Sequence, residues 1–469
     1  MSNYAGVNGL LLNPANAITL PYAWDVNLIE IGQFFDNNYA FFENTNVLHL
    51  AKNMPKVVLR PDLDKENTPV PPGSIVMDFY SGAEKKFVHS ITNLLGPSFL
   101  VKLNEANTIG VFTRARAMLN ARDVPSSLGY YEYNRQPFEA PFVVEPMSAT
   151  LVSWSEIGVH YSRTMTAEYG DIGIGINAKL LQGYEAAYVI SDQAFTLTQE
   201  RGNALSGINA ALRYGFASSG WDSVQWQPQR NGIGFSVDVG TVFTIGEEDG
   251  AYKWKFGASL LDVGLIRFNR SAAAHAVRVS DSTRLDMNAY RSFTGVEDLP
   301  EIAEVFSDQL LGDPNASLQN SAFSMWMPAA LSLQAEMALI PSFFVNASIV
   351  QSIEPSKIGA RRGSMFALTP RVESRWLEAA LPVSWRDWKN FRVGMAVRVA
   401  FFHFGTEDFK SLFQNADLDS TDFYLAVKVN PFQLNISKKE KSQLKSGWGG
   451  RNNNRVKAKG KGDVRCPKF

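Results

Sequence analysis

The chain has 469 residues, room for two or three ordinary soluble domains or for one large barrel. Aromatic residues make up 12% and hydrophobic residues 45%, but only 19% are charged, against about 25% in an average soluble domain. The 45 basic and 46 acidic residues exclude a global field for nucleic acid, and the lone cysteine, Cys466, excludes a disulfide framework or zinc cluster within one chain. The histidines at 49, 89, 160, 275 and 403 form no short metal spacing, so neither a metal nor a cofactor is expected. No apolar run reaches the roughly 18 residues of a transmembrane helix. The start, MSNYAGVNG, lacks the basic region and apolar core of a signal peptide.

Read in chain order, the sequence predicts strands near 22–32, 37–43, 97–104, 107–118, 150–163, 170–182, 184–197, 204–217, 230–245, 252–268, 276–286, 328–339, 342–352, 364–373, 375–385, 391–402 and 421–434. Strict alternation over about ten residues marks them. Phe391, Val393, Met395, Val397, Val399 and Phe401 lie on one face, and Arg392, Gly394, Ala396, Arg398 and Ala400 on the other. Ile233, Phe235, Val237 and Val239 oppose Gly234, Ser236, Asp238 and Gly240 in the same way, as do Ile172, Ile174, Ile176 and Leu180 against Gly173, Gly175, Asn177 and Lys179. Parity shifts inside 252–268, which places a bulge near 260–262. Short turn-like links at 104–107, 166–170 and 247–250 make an antiparallel meander. Segments at 53–82, 119–148 and 288–322 read as long loops, the last with a short helix within 298–311, where Pro300 falls in the first turn. Some of the predicted segments are parts of one longer strand. The fold class is therefore all-β, a closed antiparallel barrel of about 14 strands, since single-chain bacterial barrels have even counts and closure removes exposed edges.

The faces opposite the large apolar residues carry mostly Gly, Ala, Ser and Asn with isolated charges, which suits a lumen rather than the water face of a soluble sandwich. Aromatics cluster at strand ends, among them Trp154, Trp254, Trp326, Trp376, Trp385 and Trp388, as in the girdles of a bilayer-spanning barrel. Recovery in a soluble fraction would contradict the membrane reading. Asp238 and Asp262, each two residues before a glycine on neighbouring strands, form either a polar lumen site or charges matched by Lys or Arg, with Lys253, Lys255 and Arg267 close in sequence. Arg114, Arg116, Arg392 and Arg398 fall on polar faces; they either line an anion path or join salt bridges with carboxylates such as Glu336. Gly170, Gly173 and Gly175 lie in an alternating strand with no helix following, so they read as small lumen-facing residues and not as a phosphate loop. No catalytic constellation stands out, and no enzyme is expected. After Asn435 the composition changes: 438–469 carries 11 Lys or Arg and 2 acidic residues, net +9, so 436–469 is expected to be a basic, flexible periplasmic tail.

The start, YAGVNGLLLNPA, resembles the N-terminus of long-chain fatty-acid transporter-like (FadL-like) barrels, whose N-terminal segment carries Asn-Pro-Ala, here Asn13, Pro14 and Ala15. More widely, the chain resembles an uncharacterised family of Bacteroidota outer-membrane barrels, through 25–28, 37–39, 234–240, 257–264, 327–336 and the CPKF ending. The resemblance implies about 14 strands, an N-terminal hatch or plug at 1–21 followed by the barrel at 22–435, and an outer-membrane location after removal of a signal peptide. The tail beyond 434 departs from barrels that end on their last strand. Two functions follow as expectations: a channel or transporter for small hydrophobic molecules, or a non-transporting subunit or anchor of a type IX secretion or gliding-motility complex, docked through the basic tail. Outer-membrane lipid is the partner common to both.

Overall fold

In the computed structural model, residues 2–429 and 431 are described, apart from 54, 220–228, 247–251, 294, 296–297 and 341. The tail 436–469 and the link 247–250 lie outside the described residues. Fourteen wall strands follow one another in sequence. They are β1 (Trp24–Asn37), β2 (Lys86–Leu95 and Ser98–Lys102), β3 (Asn107–Val124), β4 (Ser148–Ala167) and β5 (Gly170–Ser191). Next come β6 (Ala210–Ala217 and Gly232–Gly246), β7 (Tyr252–Phe268 and Ala272–Val279) and β8 (Leu318–Asn320, Phe323–Trp326 and Ala330–Ile340). The wall is completed by β9 (Phe343–Ser352), β10 (Met365–Glu373), β11 (Leu377–Ala380 and Val383–Arg386), β12 (Asn390–Val393 and Met395–Val399), β13 (Phe402–Thr406) and β14 (Ser420–Val429). Each pairs antiparallel with the next, and β14 pairs with β1 from Val429↔Val26 to Ser420↔Asp36, which closes the barrel.

Side-chain polarity is inverted relative to a soluble protein. Along β4, Glu156 and His160 are buried at 2% and 3% exposure, while Ile157 and Val159 between them are 58% and 56% exposed. The same outward apolar row runs through Ile174 and Ile176, Phe235 and Val239, Leu331 and Leu333, and Val393 and Val399. A closed wall with its apolar side chains outside is the surface of a transmembrane barrel of the outer-membrane type. Exposed aromatics edge it at both ends: Tyr169, Trp254, Trp376 and Phe402 near the short turns, Trp385, Trp388 and Phe391 near the opposite rim. An arginine on the outer face near mid-strand is accordingly expected to be costly. Val159→Arg should lower folding stability in lipid vesicles by about 2–4 kcal/mol; a urea midpoint equal to that of the parent chain would contradict the lipid-facing assignment.

The wall is uneven in height. β9 and β10 have 10 and 9 residues, about what a tilted strand needs to cross the hydrocarbon core. β5 has 22 and rises well beyond it. Outside the tall side lies a second layer, a four-stranded sheet of Pro141–Val144, Phe195–Glu200, Ala204–Ile208 and Thr283–Asp286. Phe142, Val144 and Phe195 of that layer pack on Ala210 and Leu212 of β6. The helix Leu299–Leu311 joins it, with Pro300 in its first turn and Gly312 ending it in the left-handed region at φ 75°.

Several sequence expectations change. The segments 170–182 and 184–197 are mostly one strand, β5; 204–217 divides between the second-layer strand Ala204–Ile208 and the first half of β6, and 230–245 is the second half of β6. Residues 37–43 leave the wall: Ala40–Thr45 pairs with Ser74–Phe79 in a cap sheet at the rim opposite the short turns. That cap occupies much of 53–82, which also holds Lys56–Leu59 and the helix Arg60–Glu66, entered through Pro61. Within 119–148, β3 runs on to Val124 and Pro141–Val144 is a strand; within 288–322, β8 begins at Leu318. The first half of β2, Lys86–Leu95, has no counterpart among the predicted strands. Its outward positions Ser90 and Thr92 are polar, so the alternation that marks the other strands is missing.

Candidate functional site

The lumen is built in layers, beginning with residues 2–20, which lie inside the barrel. Asn13, Pro14 and Ala15 have a clear local logic. The Asn13 carboxamide oxygen accepts from Ala15 N at 2.9 Å, capping the 3-10 helix Pro14–Thr19, and Pro14 supplies its first residue. The Asn13 amide donates outward to Thr241 O at 3.1 Å and Gln334 Oε1 at 3.0 Å. Asn13 and Ala15 are fully buried.

The wall makes room for this turn with glycines on two adjacent strands, β5 and β6. A Cβ at Gly175 would lie 2.4 Å from the Pro14 carbonyl carbon, one at Gly240 2.1 Å from Asn13 Oδ1, and one at Gly173 2.6 Å from Ile18 Cγ2. Further bonds fix the rest of the segment. Asn177 donates to Leu10 O at 3.2 Å, Ser259 to Leu12 O at 2.8 Å, and Val7 N to Asp25 Oδ2 at 2.8 Å. Lys428, itself paired with Asp25 at 3.2 Å, donates to Ala5 O. Tyr252 and Glu373 hold Asn3 at 2.8 and 2.6 Å.

Directly above sits a buried ion-pair network. Lys179 of β5 lies 2.6 Å from Asp238 of β6 and 2.5 Å from Asp262 of β7. Asp262 also takes Arg116 of β3 at 2.9 Å and Arg362 at 2.6 Å, so three cations converge on one carboxylate. The bulge explains how. The β6–β7 register jumps between Val237↔Val263 and Val239↔Leu260, leaving Leu261 and Asp262 opposite Asp238. Asp262 adopts a left-handed φ of 51°, which Asp tolerates, and its N–H donates to Asp238 Oδ1 at 2.6 Å. Asn177 ties this layer to the one below, donating also to Asp238 Oδ2 at 2.9 Å.

The partners near in sequence are not the partners in space. Lys253 and Arg267 are exposed, and Lys255 reaches Thr19 in the lower layer. The four arginines do not form one ring either. Arg116 serves Asp262; Arg114 binds Asn93 at 2.9 Å and Glu156 at 3.4 Å. Arg392 pairs with Asp36 at 2.9 Å, and Arg398 with Glu378 at 3.1 Å, its guanidinium 4.7 Å over the Tyr4 ring. Glu336 is bound by Arg371 at 2.6 Å. Sequence reasoning missed Arg362, which sits in a loop, and Lys179, whose alternation placed it on the correct face without naming its partners.

The layer above the ions is apolar. Phe34, Met118, Trp154, Tyr188, Phe268, Phe323 and Met325 belong to one buried cluster spread over β1, β3, β4, β5, β7 and β8. The loop 353–364 folds inward over it. Ala360 N bonds Trp326 O at 2.9 Å and Thr150 donates to Gly359 O at 3.2 Å, so Ile358 and Ala360 join the cluster. Ion pairs pin this lid to the rim: Arg122–Glu354 at 2.5 Å, Lys357–Asp192 at 3.1 Å and Arg361–Asp387 at 3.1 Å. Arg362 reaches down from the lid to Asp262, so lid, ion layer and N-terminal segment form one connected stack.

A model of a family of unknown function, DUF5723, matches residues 14–407, from the Asn-Pro-Ala turn to the end of β13. The chain belongs to that family. Among solved structures, it is similar to the toluene transporter TodX of P. putida, with a TM-score of 0.40 and 10% identity over 92% of this chain and 95% of that one. The toluene transporter TbuX of Ralstonia pickettii gives 0.40 and 9%, over 91% and 94%. The translocator domain of the autotransporter NalP from Neisseria meningitidis gives 0.30 and 8%, over 87% and 88%. No curated protein matches the sequence. For this DUF5723 chain the architecture rests on the strand pairings themselves.

Proposed function

We propose that this barrel conducts small hydrophobic molecules across the outer membrane and that residues 2–20 are its hatch. The observation that carries the reading is the apolar upper lumen. Barrel interiors are ordinarily polar, yet here aromatic and methionine side chains from six strands face inward. Methionine and aromatic surfaces adapt to apolar guests of varied shape. The hatch and ion layer close the lower lumen, so passage requires the Asn13–Ala15 turn to leave its glycine seat. The alternative, an anchor of a secretion or motility complex, rests on the tail 436–469, which lies outside the described residues, and no observation favours it.

The test is uptake. In Gram-negative cells producing the chain, the initial rate for a labelled long-chain fatty acid or monoaromatic hydrocarbon should exceed that of empty cells. The pair Phe268→Asn and Met325→Asn should cut it by roughly thirtyfold or more, since each polar group opposes the apolar guest by about 1–3 kcal/mol. Equal rates with and without the chain, at matched surface abundance, would overturn the reading.

A further inference from the structure

The outward row of β7 ends in a change of chemistry. From Trp254, near the short turns, it runs through Phe256, Leu260, Val263 and Leu265, all apolar. The next outward residue is Arg267. It is exposed between Ile266 and Phe268, which are fully buried in the lumenal apolar cluster. A tilted strand crosses the hydrocarbon core in roughly 9–11 residues, and the stretch from Trp254 to Leu265 matches that length plus its bulge. Arg267 therefore leaves the wall at the headgroup boundary. Trp326 of β8, opposite Leu265, marks the same level with an interfacial aromatic. Barrels of this type keep their short turns on the periplasmic side, so this boundary belongs to the outer leaflet.

Two more arginines come to the same place. Arg230, just before the second half of β6, and Arg270, in the break of β7, are both exposed. Ile233 of β6 pairs with Arg267. The Asn231 carbonyl accepts from Asn269 N at 3.1 Å and from Arg270 N at 3.2 Å, which sets Arg270 beside Arg230. None of the three arginines is ion-paired among the described residues. Other cations near this rim are matched: Arg213 lies 2.6 Å from Asp192, and Lys357 lies 3.1 Å from the same carboxylate. Glu185 of β5 is turned to the Ser219 backbone, whose N–H it accepts at 3.3 Å. Below the arginines the wall is apolar, with Ile233, Phe235 and Val263 exposed.

Guanidinium groups brought together repel one another unless an anion lies between them, and their planar fork grips phosphate oxygens two at a time. Their position narrows the anion further. A group that meets Arg267 at the end of a lipid-facing row is held best if it carries hydrocarbon chains that cover the row. We infer that Arg230, Arg267 and Arg270 form a binding site for an anionic phosphate-bearing lipid of the outer leaflet. The phosphate sits among the guanidinium groups, and the acyl chains lie along Ile233, Phe235 and Val263. The inference is independent of what the lumen conducts.

The test uses the full chain in phosphatidylethanolamine nanodiscs that carry a minor fraction of diphosphoryl lipid A. After the disc is stripped with detergent, native mass spectrometry counts the lipid that stays on the protein. The parent chain should retain lipid A in preference to phosphatidylethanolamine. Each single change, Arg230→Gln, Arg267→Gln or Arg270→Gln, should weaken retention about fivefold, as for one basic residue at a charged membrane surface, and the triple change about a hundredfold. All three positions are exposed, so the fold should survive, and an unchanged urea midpoint checks this. Lipid A freed of its phosphates should be retained no better than phosphatidylethanolamine. No preference in the parent chain, a preference that survives the triple change, or equal retention of the dephosphorylated lipid would overturn the site.

Discussion

Replacing Asp262 with asparagine is expected to destabilise the barrel by about 3–5 kcal/mol, the cost of breaking a buried ion pair from one side. Asparagine keeps the size of the side chain and tolerates the left-handed backbone, so the change isolates the charge. Arg116, Lys179 and Arg362 all lie within 2.9 Å of this carboxylate. Asp238 remains close only to Lys179, leaving two guanidinium groups in the closed lumen without their acid. The measurement is urea unfolding in lipid vesicles. Adding Arg362→Leu to Asp262→Asn should recover part of the loss, because one stranded cation is then removed. A shift below about 1 kcal/mol would show that the three cations are compensated elsewhere.

The second large effect is expected at Gly175. Its missing Cβ is replaced in space by the backbone of the N-terminal segment, at 2.4 Å from Pro14 C, 2.5 Å from Pro14 O and 2.6 Å from Ala15 N. No rotamer relieves a clash with backbone, so Gly175→Leu should drive the Asn13–Ala15 turn out of its seat. In planar bilayers the parent chain should show a closed baseline and the variant stable open-channel currents, and protease should cut the variant within residues 2–20. Overpacking absorbed by the wall would give neither, only a loss of about 1–3 kcal/mol in stability.

The parts of the fold legible in the sequence are those in which each residue reports its own face. Alternation at 170–182 and 230–245 located β5 and β6, and the parity change near 260–262 marked the bulge that delivers Asp262. The first half of β2 was invisible because Ser90 and Thr92 point outward, and β13 because Phe402–Thr406 is only five residues long. The cap strands escaped because they pair across long separations, Ala40–Thr45 with Ser74–Phe79. At the site, alternation puts Asp238, Asp262 and Arg116 on polar faces, and all three are buried, but it carries no signal for their association. In a barrel a side chain meets the neighbours across strands and across the lumen, so Arg116 finds Asp262 at a separation of 146 residues. The inward position of Arg362 depends on how the loop 353–364 folds, for which alternation gives no signal.

The most direct test of hatch-gated passage is a reversible lock. A Cβ built at Gly240 lies 3.0 Å from Asn13 Cγ, the position a cysteine sulfur would take, and with an S–S bond of about 2.04 Å the Cβ of one half-cystine sits about 3 Å from the sulfur of the other. With Cys466 replaced by serine, Asn13→Cys and Gly240→Cys would tie the hatch to β6. Uptake of the labelled fatty acid is then measured in oxidised and reduced cells. The expected result is uptake at the level of empty cells when oxidised, restored on reduction. Equal uptake in both states, with the cross-link verified by mass spectrometry, would contradict a hatch that must move.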